Sequence, residues 1–300
     1  GVNKSNGIGV TNEINFKAAG EMDNGFTWSY SMELDPSTTG SGQANNDDTQ
    51  IVLGMNDLGS LKFCVSECSN GKKYAWDNSA YTAMTDTGQS SGIVYPANES
   101  GYASIQYHTP ELPYSTTASF AIGTPKADGQ SGNTQGQVSG DDATFVSIKT
   151  TPSDGLTLEA SGYQTEARAD GVVTEQEETG ASVAVSYAYG NIKAGLGRSI
   201  MNPASGVSIA TSTTVETHTS DGLSLAYAVN DALSVSFTRE VSEAEQRGAA
   251  ATYDVEMDSI QVAYSLGGAT LSLARAEYEN VGYVQNIDAD ETIVALAFAF

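Results

Sequence analysis

The stretch Phe26–Leu34, with the sequence FTWSYSMEL, determines the fold class that this chain is expected to adopt. Every second residue in it is large and apolar, and the residues between them are Thr27, Ser29, Ser31 and Glu33. Successive side chains of a β-strand point to opposite faces, so this alternation predicts a strand with one apolar and one polar face. A soluble sheet with one buried face would give the same alternation, so this strand alone does not identify a membrane protein.

Similar alternation recurs along the chain in segments of roughly ten residues, which is the length of a tilted strand that crosses a bilayer. We predict about fifteen such strands within residues 1–300, which are expected to form a single domain. Single-chain bacterial barrels have an even number of strands, so we expect one further strand upstream, for a total of sixteen. The predicted strands include Gly9–Ala19, Thr49–Asn56, Thr217–Val229 and Ala232–Val241.

The connections between the predicted strands alternate strictly between short and long. The short ones are rich in Gly, Pro, Asn and Asp, which favour tight turns, and we assign them to the periplasmic side. The long ones are polar and acidic and include Asp35–Asp48, Val65–Gly101 and Ser242–Thr252. A β-sandwich has no reason to alternate in this way, whereas an outer-membrane barrel does. The sequence therefore predicts an all-β fold, a transmembrane antiparallel β-barrel in the bacterial outer membrane.

Composition excludes several other classes of protein. The chain has 37 Asp and Glu against 13 Lys and Arg, a formal net charge of −24, which is unfavourable for binding a nucleic-acid backbone. No apolar run approaches the length of about 18 residues that a membrane-spanning helix needs. Aromatic residues number 15 Tyr, 8 Phe and 2 Trp, spread through the alternating segments, so disorder is not expected either.

Several segments resemble those of general diffusion porins of Gram-negative bacteria, of the alphaproteobacterial type. They are AGEMDNGFTWSYSMEL (Ala19–Leu34), LGSLKFC (Leu58–Cys64) and the terminal ALAFAF (Ala295–Phe300), which ends on an apolar alternation with a C-terminal Phe. The long Val65–Gly101 segment stands where that family has a loop that folds into the barrel and narrows the pore. The resemblance implies a passive channel for small hydrophilic solutes, a homotrimer, and contact with membrane lipid and lipopolysaccharide.

In that family, acidic residues of the inserted loop face basic residues of the barrel wall across the constriction. The wall candidates fall on polar positions of their strands and are Lys17, Lys62, Lys149 and Lys193. The loop candidates are Glu67, Asp77, Asp86 and Glu99. The alternative is that these are ordinary solvated charges. The wall has no evident arginine cluster, in contrast to the family.

Three further features concern a cross-link, possible catalysis and unusual charges. Cys64 and Cys68 are close in sequence, so a short disulfide in an oxidising compartment is expected rather than a metal site or a catalytic thiol. No hydrolase motif accompanies His108 and His218, so we do not expect an enzyme. Arg239 and Arg275 stand on apolar positions, which predicts a place near the external rim, either snorkelling or at a subunit interface.

Acidic clusters in the external loops offer oxygen ligands that suit calcium or magnesium. The candidates are Asp47, Asp48, Asp288, Asp290 and Glu291. Solvated loop tips are the alternative, and no cofactor is required. From the net charge we predict weak cation selectivity. Rival functions are a substrate-specific channel, a non-conducting adhesin or structural outer-membrane protein, and a soluble β-sandwich.

Overall fold

The computed structural model describes residues 14–36, 44–65, 76–83, 91–96, 102–125, 142–165, 177–203, 214–247 and 253–298. They contain one sheet of fifteen antiparallel strands, in which each strand pairs with the next along the chain. The strands are β1 (Ile14–Glu21), β2 (Thr27–Pro36), β3 (Ala44–Gly54), β4 (Ser60–Cys64), β5 (Tyr102–His108), β6 (Thr117–Pro125), β7 (Ala143–Ser153), β8 (Leu156–Thr165), β9 (Thr179–Tyr189), β10 (Ile192–Asn202), β11 (Thr214–Ala228), β12 (Leu233–Arg247), β13 (Val255–Leu266), β14 (Ala269–Glu279) and β15 (Ala289–Phe298). The predicted all-β fold is confirmed.

The register of the sheet places the alternating residues on two different faces. In β10 and β11, for example, Leu196 lies opposite Leu223 while Gly195 lies opposite Ser224. Large apolar side chains of the first face remain exposed, and Leu196 and Ile260 are each 60% exposed. Exposing so much apolar surface to water costs about 25 cal/mol per Å², so this face is suited to lipid rather than to water.

Buried side chains concentrate on the other, polar face. One cluster consists of Ala121, Ala143, Phe145 and Tyr163 on β6–β8, and another contains Met257, Ala276 and Tyr278 on β13 and β14. The phenyl ring of Phe145 stacks on that of Tyr163, with ring centroids 5.9 Å apart. Ile93, which lies between β4 and β5 in sequence, packs against the second cluster, so another part of the chain covers the polar face there.

Several strands are longer than the sequence predicted. β3 begins at Ala44, inside the predicted loop Asp35–Asp48, and β12 continues to Arg247, inside the predicted loop Ser242–Thr252. β11 begins at Thr214 instead of Thr217. Apolar alternation marks only the part of a strand that faces lipid, so a strand that continues beyond the bilayer loses its sequence signal.

The connections alternate between short and long as predicted, but some of them differ less in length than the sequence suggested. The turn at 109–116 is longer than the loop at 37–43, because β2 and β3 extend into that loop. Within the described connections, 3₁₀ turns occur at Asn56–Leu58 and at Val281–Tyr283. Gly59 follows the first at φ +83°, and a Cβ there would lie 2.2 Å from the carbonyl oxygen of His108, so only glycine fits.

The predicted first strand, Gly9–Ala19, overlaps β1, although residues before Ile14 are outside the described part of the chain. The sixteenth strand stays a prediction. Among the residues that the structure describes, no helix has the length and apolar character needed to cross a membrane.

Candidate functional site

Two described parts of the predicted loop Val65–Gly101 lie against the polar face of the sheet. We call residues 76–82 the crossing segment and residues 91–96 the return segment. The crossing segment contacts polar-face residues of β10, β11, β12 and β13 in turn. It therefore runs across the strands, and the three gaps between these strands amount to about 14 Å at 4.8 Å each.

Hydrogen bonds attach the crossing segment to small polar side chains. The Asn78 side-chain amide donates to Ser224 Oγ at 2.9 Å, and the Ala80 amide donates to Ser236 Oγ at 2.8 Å. The hydroxyls of Ser79 and Thr238 are 2.9 Å apart. These contacts satisfy polar groups that the wall and the loop would otherwise bury unpaired.

Gln261 forms the last attachment point of the crossing segment, on β13. Its Oε1 accepts hydrogen bonds from the amides of Tyr81 and Thr82, both at 3.0 Å. Its Nε2 donates to the carbonyl oxygen of Thr82 at 2.9 Å. The Gln261 side chain thus makes three hydrogen bonds with backbone groups of the crossing segment, which would otherwise bind water.

The crossing segment begins at Trp76, which is 3% exposed. A Cβ built on Gly197 would lie 1.9 Å from Trp76 Cδ1, and one on Gly222 would lie 2.1 Å from Trp76 Cζ2. A Cβ on Gly195 would lie 1.9 Å from the Trp76 carbonyl oxygen. The indole ring therefore lies directly on the backbone of β10 and β11.

The return segment is also held at β11 and β12, but nearer the ends of these strands that lie away from the crossing segment. Tyr95 donates its hydroxyl to Glu240 Oε2 at 2.7 Å, and the Val94 amide donates to the Tyr283 hydroxyl at 3.3 Å. The Tyr283 hydroxyl also lies 2.8 Å from Ser242 Oγ and 3.3 Å from His218 Nδ1. Burial raises the pKa of Tyr283, so its hydroxyl stays protonated throughout the neutral range.

The four predicted wall lysines all lie on the polar face, but on different parts of the sheet. Lys17 lies on β1, Lys62 on β4, Lys149 on β7 and Lys193 on β10. Lys149 forms a salt bridge of 3.1 Å with Glu159 of β8, whose side chain is 7% exposed. Lys17 and Lys62 lie on strands separated along the sheet from the seat of the crossing segment.

Only one predicted loop acid has a described side chain. Asp77 accepts hydrogen bonds from the amide and the hydroxyl of Ser79, at 2.9 and 2.6 Å. Together with Lys193 it lines a cavity of about 450 Å³ between the crossing segment and β10–β12. Lys193 therefore borders the same cavity as the predicted loop acid Asp77, and their role in the constriction stays a prediction.

Other predicted residues fall outside the described part of the chain. They are Glu67, Asp86, Glu99 and Cys68, and the side chains of Asp47 and Asp48 are also outside it. Cys64 takes part in a disulfide bond, and the sequence contains two cysteines.

The remaining metal candidates do not converge on one point. Asp290 lies on the apolar face and forms an ion pair of 2.6 Å with Arg275, whereas Glu291 lies on the polar face. Asp288 accepts a hydrogen bond of 3.2 Å from the Asn280 amide. Within the described residues, no three potential ligands form a metal-binding group. Calcium or magnesium at the loops stays a prediction.

Arginines on the apolar face are paired with carboxylates. Arg239 lies 2.8 Å from Asp258 and also pairs with Glu256, and Arg275 contacts Asp290. Sequence reasoning missed a third such arginine, Arg198, which lies 2.6 Å from Asp221. Pairing reduces the cost of about 2–4 kcal/mol that a lone charge pays in mid-bilayer.

The attachment points of the loop were also missed by sequence reasoning. Trp76 is one of only two tryptophans, and its position in the longest loop was an available signal. Gly195, Gly197 and Gly222 stand at polar positions of neighbouring strands, but their convergence depends on a register that the sequence does not reveal.

Comparisons with known proteins identify the family and agree with the fold. The family model described as Gram-negative porin matches residues 1–300. A porin structure refined at 1.8 Å resolution is similar, with 15% identity, a TM-score of 0.62, and coverage of 95% of this chain and 92% of that chain. A variant of the Rh. blastica porin gives 14% identity, a TM-score of 0.59, and coverage of 96% and 89%. OmpT, an outer membrane protein of Vibrio cholerae, gives 12% identity, a TM-score of 0.62, and coverage of 95% and 86%. No curated protein matches the sequence.

These structural neighbours are transmembrane β-barrels, and in a barrel the exposed apolar face meets lipid while the polar face lines the lumen. The family and the fold indicate a channel of the bacterial outer membrane rather than an enzyme. The chain belongs to the Gram-negative porin family.

Proposed function

We propose that the protein is a general diffusion pore for small hydrophilic solutes and that the crossing segment forms its constriction. The observation that carries this proposal is the attachment of the crossing segment to Ser224, Ser236 and Gln261 on three adjacent strands of the polar face. A segment fixed to the lumen wall at several points reduces the bore permanently, which is what a size-limited passive channel requires.

The polar face favours a general pore over a substrate-specific channel. A channel that selects one solute is expected to present a row of aromatic side chains to the lumen. Here Phe145, Tyr163 and Tyr278 on the polar face are each at most 6% exposed. Their rings are buried and are not available to a passing solute.

We further propose weak selectivity for cations. The net charge of −24 raises the cation concentration at the pore, although salt screens this effect beyond about 8 Å at 0.15 M ionic strength. Lys17 and Lys62 on the polar face oppose it locally, and Lys149 is neutralised by Glu159. The selectivity is therefore expected to be modest and to increase as ionic strength falls.

We also propose, from the family resemblance, that the protein is a homotrimer in contact with lipid and lipopolysaccharide, with calcium or magnesium at the acidic loops. The paired arginines Arg239 and Arg275 on the apolar face are compatible with contact to lipid head groups or to another subunit. Native mass spectrometry of the extracted protein, with and without a chelator, measures both the subunit number and bound metal.

Reversal potentials in planar bilayers test the pore and its selectivity. We expect weak cation preference in the wild-type protein, a larger preference in Lys62→Gln, and a still larger one in Lys62→Glu, because each step lowers the charge of the lumen wall by one unit. Glu111→Lys is the matched control, since Glu111 is exposed in the turn at 109–116 and should affect the potential far less.

Three results would contradict parts of the proposal. Anion preference of the wild-type protein at low salt would refute the charge argument. An unchanged potential in both Lys62 variants would remove Lys62 from the constriction. Absence of conductance in wild-type protein with a folded barrel would favour the rival function, an adhesin or structural protein.

A further inference from the structure

We propose that Trp76 is the positioning residue of the constriction, and that Gly195, Gly197 and Gly222 form a niche that exists to hold it. This inference rests on the proposed function as a diffusion pore. It adds a specific claim, namely that one side-chain contact determines how far the crossing segment projects into the lumen.

The niche is built from glycines that the strands themselves do not need. Gly197 and Gly222 lie directly opposite each other in the register of β10 and β11, and neither adopts a positive φ. Glycine in a strand loses more backbone entropy than alanine and provides no side chain to pack. Two glycines facing each other across strands therefore indicate close approach of another group, and that group is Trp76.

The fit leaves no space for even one methyl group. The Cβ positions on Gly197 and Gly222 lie 1.9 and 2.1 Å from indole carbons, well inside van der Waals contact. The nearest atoms belong to a rigid ring that is 3% exposed, not to the end of a flexible side chain. An alanine at either position requires the ring, and with it the crossing segment, to move away from the wall.

Hydrogen bonds near the Trp76 carbonyl group fix the start of the crossing segment as well. Ser224 Oγ donates to the Trp76 carbonyl oxygen, and the Asn78 side-chain amide donates to the same oxygen at 3.1 Å. The backbone N–H of Asn78 donates to Ser224 Oγ at 3.2 Å. The ring and the backbone are thus held together at one point of β10 and β11, from which the rest of the segment extends toward β13.

The barrel wall is also thin at this point. Gly197 and Gly222 line a depression of about 550 Å³, which Val185, Leu196 and Leu223 of the apolar face also border. Without side chains on these glycines, only backbone lies between that depression and Trp76. The indole therefore both seats the loop and fills the lumen side of the wall at this position.

Fluorescence tests the niche independently of conductance. In a Trp28→Phe background, Trp76 is the only tryptophan of the chain. We expect its emission to be blue-shifted and poorly quenched by acrylamide, because the ring is buried. Adding Gly222→Ala should red-shift the emission and increase quenching several-fold, whereas Gly162→Ala should change neither, since a Cβ there meets only ordinary contacts at 3.5 Å or more.

Single-channel conductance and exclusion of graded polyethylene glycols test the positioning role. We expect Trp76→Ala and Gly222→Ala each to raise the conductance, on the order of 1.5-fold, and to admit larger polymers, because the loop leaves the wall or loses its fixed start. Trp76→Phe should retain most of the wild-type behaviour. The double variant Trp76→Ala with Gly222→Ala should match Trp76→Ala alone, because the alanine has no ring left to displace.

Distinct outcomes separate this inference from the proposed function. A wild-type Trp76 that is readily quenched, or a Gly222→Ala variant with unchanged emission, overturns the anchor whether or not the protein conducts. Unchanged conductance and polymer cut-off in a folded Trp76→Ala barrel overturn the positioning role. Lack of conductance in the wild-type protein, with a buried Trp76, overturns the diffusion pore but leaves the niche intact. Heat-modifiable electrophoretic mobility confirms in each case that the barrel has folded.

Discussion

The polar faces of β11–β13 and of β1–β2 follow the same alternation in sequence but differ in what covers them. On β11–β13, which we call the loop wall, Ser224, Thr238 and Gln261 are completely buried beneath the crossing segment. On β1–β2, which we call the open wall, Lys17 and Ser29 remain exposed. Both walls are polar, so polarity alone does not determine where the inner loop lies.

Side-chain size and hydrogen-bonding capacity account for the difference. The loop wall offers Gly222, which allows another chain to approach closely, and short hydroxyl side chains, which can accept its amide hydrogens. The open wall carries the long, charged side chain of Lys17, whose burial under a loop would require a partner. The size of the lumen-facing residues can therefore specify where an inner loop packs on the barrel wall, while the alternation of polar and apolar residues along the strands stays the same.

A lysine placed on the loop wall should have the largest effect on stability, compared with the same substitution on the open wall. Ser236 and Ser29 both lie on the polar face near a short turn, but Ser236 is buried and accepts the Ala80 amide. We expect Ser236→Lys to destabilise the loop-bound state by about 3 kcal/mol or more, because it buries an unpaired cation. Ser29→Lys should remain within about 0.5 kcal/mol of wild type, as surface substitutions usually do.

Urea unfolding of the barrel in lipid vesicles measures the effect on the two walls, and protease sensitivity of the inner loop reports its release. Equal stability of the two variants, with the loop protected in both, would show that the loop wall is not specified by residue size. Ser29→Lys should in addition reduce cation selectivity, whereas its effect on loop protection should be negligible.

Loss of the Gln261 amide should have an intermediate and local effect. Gln261→Leu leaves the amides of Tyr81 and Thr82 without their acceptor, and an unsatisfied buried donor costs about 1–3 kcal/mol. Hydrogen exchange within residues 76–83 should then accelerate by roughly 5- to 150-fold, while exchange in the strands stays unchanged. Gln50→Leu, at a partly exposed polar position of β3, is the control and should leave loop exchange unaltered. Slow exchange in the Gln261 variant would mean that the loop wall holds the segment by packing alone.

The sequence predicted the number of visible strands and the face of the four candidate wall lysines, because a period of two is read directly from residues such as Trp28 and Tyr30. It did not predict where β3 and β12 begin and end, since those ends lie beyond the apolar band. Lys193 lines the same cavity as Asp77 of the loop, and the role of both residues in the constriction stays a prediction. The position of a loop within a barrel depends on long-range contacts such as that of Trp76 with Gly222, which no local pattern encodes.

Replacement of the pair Lys149 and Glu159 should have the smallest effect, and it tests whether the open wall extends as far as β7. The two charges lie 3.1 Å apart on the polar face, so from a distance they act as a dipole whose field salt screens beyond about 8 Å at 0.15 M. We expect Lys149→Gln combined with Glu159→Gln to leave the reversal potential at its wild-type value, because the net charge of the wall is unchanged. Lys149→Gln alone should shift the potential toward cation preference, since it leaves the buried carboxylate without its counter-ion. If the double variant shifts as far as the single one, Lys149 faces the lumen as an independent charge, and β7 then belongs functionally to the open wall together with Lys17.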